Sequence, residues 1–240
     1  NWVKAYTEVV DAYLGDLPDD TEEFIFKYEG KEYTPNSFAE FLGLDMDNYV
    51  SLTSYTHHPF YSSFMLEVPD NWAMQQCYNL PLDEFMEVME SSIKNGYSFA
   101  WGADVSEKGF SFRDGLAIVP ADESTIKQRG RDNKHFSDAG AEKIANCFDE
   151  PVEEKTITQE IRQIGYDSQT TTDDHGMHIT GLVRDQNGTK YFIVKNSWGD
   201  DRNDCDGYFY ASFPYVKYKT MNIMIHKDGI PKDIRKKLGL

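Results

Sequence analysis

The sequence is short of positive charge, of long apolar runs and of cysteine, and each shortage removes a class of function. Lys and Arg number 24 against 41 Asp and Glu, a formal charge of −17 with a pI near 4.7. Nucleic-acid binders draw their affinity from cations that neutralise phosphates, so no nucleic-acid partner is expected. No window approaches the roughly 18 consecutive apolar residues of a membrane span, so no membrane partner is expected either. Cys77, Cys147 and Cys205 form no Cys-x-x-Cys pair, and their odd number cannot close a disulfide framework within the chain. A reducing, cytoplasmic setting is favoured, with export after loss of a signal sequence as the alternative. No Gly-rich loop links a strand to a helix, which leaves a nucleotide cofactor without support. The chain opens at Asn1 without Met or the zones of a signal peptide, and its start is expected upstream.

What is present is the composition of a folded chain, with 40% apolar, 14% aromatic and 27% charged residues in a length that suits one large domain or one and a half. Trp2, Val3, Tyr6, Val9, Val10, Tyr13 and Leu14 recur at helical spacing, and Gly15 and Pro18 stop them. The apolar face of that helix needs a cover, and the expected cover is a segment upstream. Residues 24–28 read as a strand, 29–31 as a turn, and Thr34-Pro35 as the cap and first position of a helix over 35–42. Residues 81–95 read as a helix with Leu82, Phe85, Met86, Met89 and Ile93 on one face and Gly96 beyond its end.

After Gly96 the period changes to that of strands, at 97–105, 115–119, 177–184, 190–195, 207–212 and 220–225. Six strands predict a barrel or a strongly curved sheet. The charged stretch 121–174, with short helices at about 138–147 and 158–164, reads as an insertion on that β scaffold. The fold class expected is therefore α+β, an antiparallel β-barrel with helical insertions. Its parts would be an α/β segment over 1–80, the barrel over 81–230 and a tail over 231–240.

Asp185-Gln186-Asn187-Gly188 is a hairpin turn, because Asn-Gly supplies the positive φ values of a tight loop. Counted outward from it in regular register, His178 opens the hairpin and Asn196 closes it side by side with it. An amide oxygen beside an imidazole can accept the proton of one ring nitrogen and leave the other to exchange a proton with a nucleophile. His175 would face the opposite side of the strand and would compete only if the register were one residue out.

With the run Lys195-Asn196-Ser197-Trp198-Gly199, the sequence resembles the papain-like cysteine peptidases, whose catalytic unit is a Cys, a His and an Asn. The order of Asn95-Gly96, the strand after it, 110–115, His178, the hairpin, Asn196 to Gly199 and Gly207-Tyr208-Phe209-Tyr210 follows that family's C-terminal, β-barrel domain over about 140 residues. Residues 56–61, 78–81, 174–178 and 231–240 look like the bleomycin hydrolase and bacterial aminopeptidase C branch.

The resemblance implies a cysteine aminopeptidase acting on short peptides and built as a hexamer, with no cofactor. His178 and Asn196 would be catalytic and Trp198 would shield their hydrogen bond. It also implies that the tail, 235–240, lies in the cleft. The helix-opening Cys of the family has no match here. Gln75-Gln76-Cys77-Tyr78 is only a superficial substitute, because Asn79-Leu80-Pro81 forbids a long helix starting at Cys77. The nucleophile is expected on a missing N-terminal half. The alternative reading is a non-catalytic module of the same fold that binds a peptide or a partner. His57-His58 lacks any accompanying zinc spacing and reads as packing, so no metal is expected.

Overall fold

The structure is a computed structural model and describes residues 1–15, 24–69, 71–126 and 146–240. Its contacts divide the chain into two units, Asn1–Asp47 and Asn48–Leu240.

The first unit carries α1 (Trp2–Leu14), the hairpin of β1 (Phe26–Tyr28) and β2 (Lys31–Tyr33), and α2 (Pro35–Leu42). Glu29 and Gly30 both take positive φ, as a two-residue hairpin turn requires. Thr34 and Ser37 cap α2 reciprocally, side chain to backbone in both directions. Phe26, Tyr28, Tyr33, Phe38 and Phe41 pack edge to face and stacked between the hairpin and α2, at centroid distances of 5.2–6.3 Å. No side chain of α1 is buried. The acidic run 16–23 lies outside the described residues.

The second unit is built on one ten-stranded sheet. Its strands are β3 (Tyr49–Thr53), β4 (Ser63–Met65), β5 (Gln76–Asn79), β6 (Phe99–Ala103), β7 (Phe110–Ser111), β8 (Leu116–Ala117), β9 (His175–Arg184), β10 (Lys190–Lys195), β11 (Tyr208–Ser212) and β12 (Thr220–His226). They lie in the order β4-β5-β3-β12-β6-β9-β10-β11-β8-β7, antiparallel except for β3–β5 and β8–β11. The expected closed barrel is not what forms. The outer edge of β12 is taken by β3, so the strands from residues 49–79 extend the sheet where a barrel would close, and β4 and β7 are its ends. Strands β3, β4 and β5, grouped on sequence with the segment before them, are thus part of this sheet.

Helix α3 (Leu82–Lys94) buries Leu82, Phe85, Met86, Val88 and Met89 in the main core, each contributing roughly 1.5–3 kcal/mol of transfer free energy. Helix α4 (Gln159–Asp167) is tied to residues 54–56 by Gln159, Arg162 and Gln163. The Arg162 guanidinium is fully buried, donates to the carbonyls of Ser54 and Lys217 and lies 4.5 Å from the Tyr55 ring. Helix α5 (Phe213–Lys219) leads into β12. Residues 232–238, expected as part of a tail, form α6 (Lys232–Leu238), and its Ile234 and Leu238 are buried in the main core. The helix expected at 138–147 lies outside the described residues except for its last two positions, of which Cys147 is buried. Among the described residues, no helix is long and apolar enough to cross a membrane.

Candidate active site

The β9–β10 hairpin turns where the sequence places the turn. Asp185 Oδ1 accepts the backbone N–H groups of Asn187 and Thr189, and Gly188 takes φ +87°. The register runs regularly from Arg184↔Lys190 to Gly181↔Ile193, then shifts by one, so that Ile179 faces Val194 and His178 faces Lys195. Thr180 is the extra residue, and its hydroxyl donates to the Ile193 carbonyl.

A single-residue bulge exchanges the two faces of the strand beyond it. Met177 and Ile179 therefore point into the core, His175 shares their face, and His178 is exposed on the other. The expected pairing of His178 with Asn196 is accordingly not made. Asn196, 5% exposed, instead meets His175, with Nε2 to Oδ1 at 2.7 Å.

The same Oδ1 accepts the backbone N–H of Ser197, and the Asn196 backbone N–H donates to the Gly207 carbonyl. A backbone N–H can only donate, so the Ser197 N–H identifies this atom as the amide oxygen and makes His175 Nε2 the donor to it, with Nδ1 outside that bond. Trp198 lies over the His175 ring at 4.8 Å, and Phe110 and Phe112 meet the Trp198 ring edge to face at 5.8 and 5.2 Å. The indole packs on the imidazole beside the His175–Asn196 hydrogen bond, where the expectation sets it over a His178–Asn196 bond, and the two phenylalanines pack against the indole. The sequence does contain one signal for His175, its parity with Met177 and Ile179, but the bulge that gives that parity its meaning has no mark in the residue pattern.

All three cysteines, each among the described residues, have thiols raised above their ordinary value. Cys77 lies within β5 rather than at the start of a helix, and burial, with Asp173 adding to it, pushes its thiol up to about 11. Burial also takes the Cys147 thiol to about 11, and burial with Asp204 and Asp206 raises that of Cys205.

His57, His58 and Glu67 are the one group of three side chains among the described residues with metal-ligand spacing. Each imidazole Nε2 lies against a Glu67 oxygen, at 3.3 and 3.1 Å. Gln163 decides how the cluster is wired. Its Oε1 accepts from Thr56 N–H and its Nε2 donates to Asp167, which turns that Nε2 toward His57 Nδ1 as a donor. His57 Nε2 therefore holds a proton aimed at Glu67, where a cation would need a lone pair. The cluster also packs, with His57 stacked on Tyr166 and His58 on Phe64.

The family model of the Peptidase C1-like family matches residues 8–120 and 144–239. The chain belongs to that family. Among relatives in the aminopeptidase C branch, aminopeptidase C of Streptococcus thermophilus is 25% identical over 221 residues, covering 86% of this chain and 43% of the relative. Aminopeptidase C of Lactobacillus delbrueckii subsp. lactis is 27% identical over 214 residues, covering 86% and 41%. The crystal structure of PepW from Lactobacillus rhamnosis HN001 has the same fold, with a TM-score of 0.66 at 18% identity, over 98% of this chain and 49% of that one. This member of the Peptidase C1-like family spans between two fifths and half the length of these proteins.

Proposed function

We propose that this chain supplies the base and the orienting amide of a thiol peptidase, His175 and Asn196, and that the protein containing it removes residues from the N-termini of peptides. The observation that carries the reading is the 2.7 Å bond from His175 Nε2 to Asn196 Oδ1 beneath Trp198. The fold, the family and the aminopeptidase relatives support it.

With Nε2 held by Asn196, His175 Nδ1 takes the proton of a cysteine thiol, and the resulting thiolate attacks the scissile carbonyl carbon. As the C–N bond breaks, the proton on Nδ1 passes to the leaving amine. Water then opens the thioester, giving a proton to Nδ1 and restoring the thiol. The thiol belongs to a segment outside this chain, a reading supported by the environments of the three cysteines and by the longer relatives. Peptide substrates and assembly from several copies are part of the same proposal.

The test is hydrolysis of aminoacyl nitroanilides by the full-length protein. His175→Ala should lower kcat/KM by about a thousandfold or more, the scale of losing a catalytic base, and His178→Ala should leave it within about threefold, as for an exposed side chain outside the site. Full activity in His175→Ala overturns the assignment. Failure of a peptidyl epoxide to label any cysteine of the full-length protein turns the reading toward a binding module.

A further inference from the structure

Asp104 and Lys219, 2% and 3% exposed and 3.8 Å apart at Oδ2 and Nζ, are buried ionisable groups that neither the core nor the His175–Asn196 pair accounts for. Burying two such groups is costly, and well-packed apolar residues in their place are often neutral or stabilising, so their presence calls for a task that apolar side chains cannot perform.

The two residues flank one row across the sheet. Thr220 of β12 pairs with Ala103 of β6, and Ala103 pairs with His175 of β9. Lys219 immediately precedes Thr220 and Asp104 immediately follows Ala103, and their backbones join through Asp104 N–H to the Lys219 carbonyl at 3.0 Å.

Both side chains reach the residues that run into His175. Lys219 Nζ donates to the Thr170 carbonyl at 2.8 Å and to Thr171 Oγ1 at 3.1 Å, and Asp104 Oδ2 accepts from Thr172 N–H at 3.0 Å. The Asp174 carboxylate, one residue before His175, accepts from Val105 and Ser106 N–H. Inward-facing polar groups of residues 170–172 thus find their partners in this pair, and Glu107 holds Lys219 from the outer side.

We propose that Lys219 and Asp104 are positioning residues for His175, fastening residues 170–174 so that β9 begins in the register that brings the ring to Asn196. The inference rests on the reading of His175 and Asn196 as the working pair, and it concerns where that ring is held rather than turnover.

The measurement is the exchange of the His175 Nε2 proton with water, followed by NMR on the nitrogen-15-labelled chain and assigned by its loss in His175→Gln. A proton held in the Asn196 bond exchanges slowly. Lys219→Met and Asp104→Asn should each speed that exchange about tenfold or more while amide protection in β10 and β11 is kept, the pattern of a local opening. Lys219→Arg, which keeps the charge and the donors, should retain slow exchange. Folded Lys219→Met and Asp104→Asn chains with an unaltered His175 proton would overturn the inference. If those variants do not fold, Glu107→Gln decides: Glu107 is part-exposed, its loss should loosen Lys219 and speed the exchange, and an unchanged rate overturns the proposal. A parent chain without a protected Nε2 proton would remove the His175–Asn196 bond itself, and the functional reading would fall with it.

Discussion

His175 and His178 stand three positions apart on one strand, yet one is half-buried against an amide and the other lies in solvent. Their difference is one of environment, and so is that of the thiols. With the thiols of Cys77 and Cys147 near 11, only roughly a thousandth of either is thiolate at pH 8. Iodoacetamide on the folded chain should therefore modify Cys205 first, and mass mapping of the alkylated peptides checks the order.

Asp104 gives a pH prediction. Burial first, and Glu107 second, push its carboxyl up to about 7 against the opposing pull of Lys219, so the folded state holds a proton that the unfolded chain releases near pH 4. The contribution of this group to stability is present in full below about pH 4 and is lost as the pH rises through about 7. Asp104→Asn should flatten that part of the curve, and urea midpoints compared at pH 4.5 and 7.5 would show it.

The elements differ in how far the sequence announces them. Helix α2 is written in Thr34, Pro35 and Ser37, α3 in its apolar stripe, and the β9–β10 turn in Asn187-Gly188, because each depends on neighbours in the chain. Strands β3, β4 and β5 were not legible, since short strands with mixed faces take their identity from the β12 edge, and the seven-residue α5 and α6 depend on tertiary burial of Tyr215, Val216, Ile234 and Leu238. The Asn of the site was legible from its motif, whereas the choice of histidine turned on the Thr180 bulge. Deleting Thr180 should remove the bulge yet leave Ile179 opposite Val194 and His178 opposite Lys195, so that Met177, Ile179 and His175 keep their inward face. With both apolar side chains still in the core, thermal unfolding of the deletion variant should begin close to that of the parent, whereas Ile179→Ala, which empties a core position, should cost about 2–5 kcal/mol and unfold well below it.

On the scale of the whole molecule the acidic surface and the face of α1 stand in contrast. Trp2 is 79% exposed and Tyr13 87%, with Tyr6 and Val9 between them on the helix. An apolar stripe of this kind should bind a hydrophobic dye such as anilinonaphthalene sulfonate. Replacing Tyr6 and Tyr13 by Lys should lower the dye signal by more than half without changing the unfolding of residues 48–240; an unchanged signal would place the dye elsewhere.

The bulge at Thr180 also has a practical side. The ten residues of β9 rise about 3.4 Å each, so the Asp185 turn sits roughly 30 Å along the strand from His175, on the far side of the bulge. The hairpin tip is thus well removed from the His175–Asn196 pair. An epitope or affinity tag grafted between Asp185 and Thr189 could be read out or captured while the imidazole stays in place, which makes this turn an insertion point for following the protein.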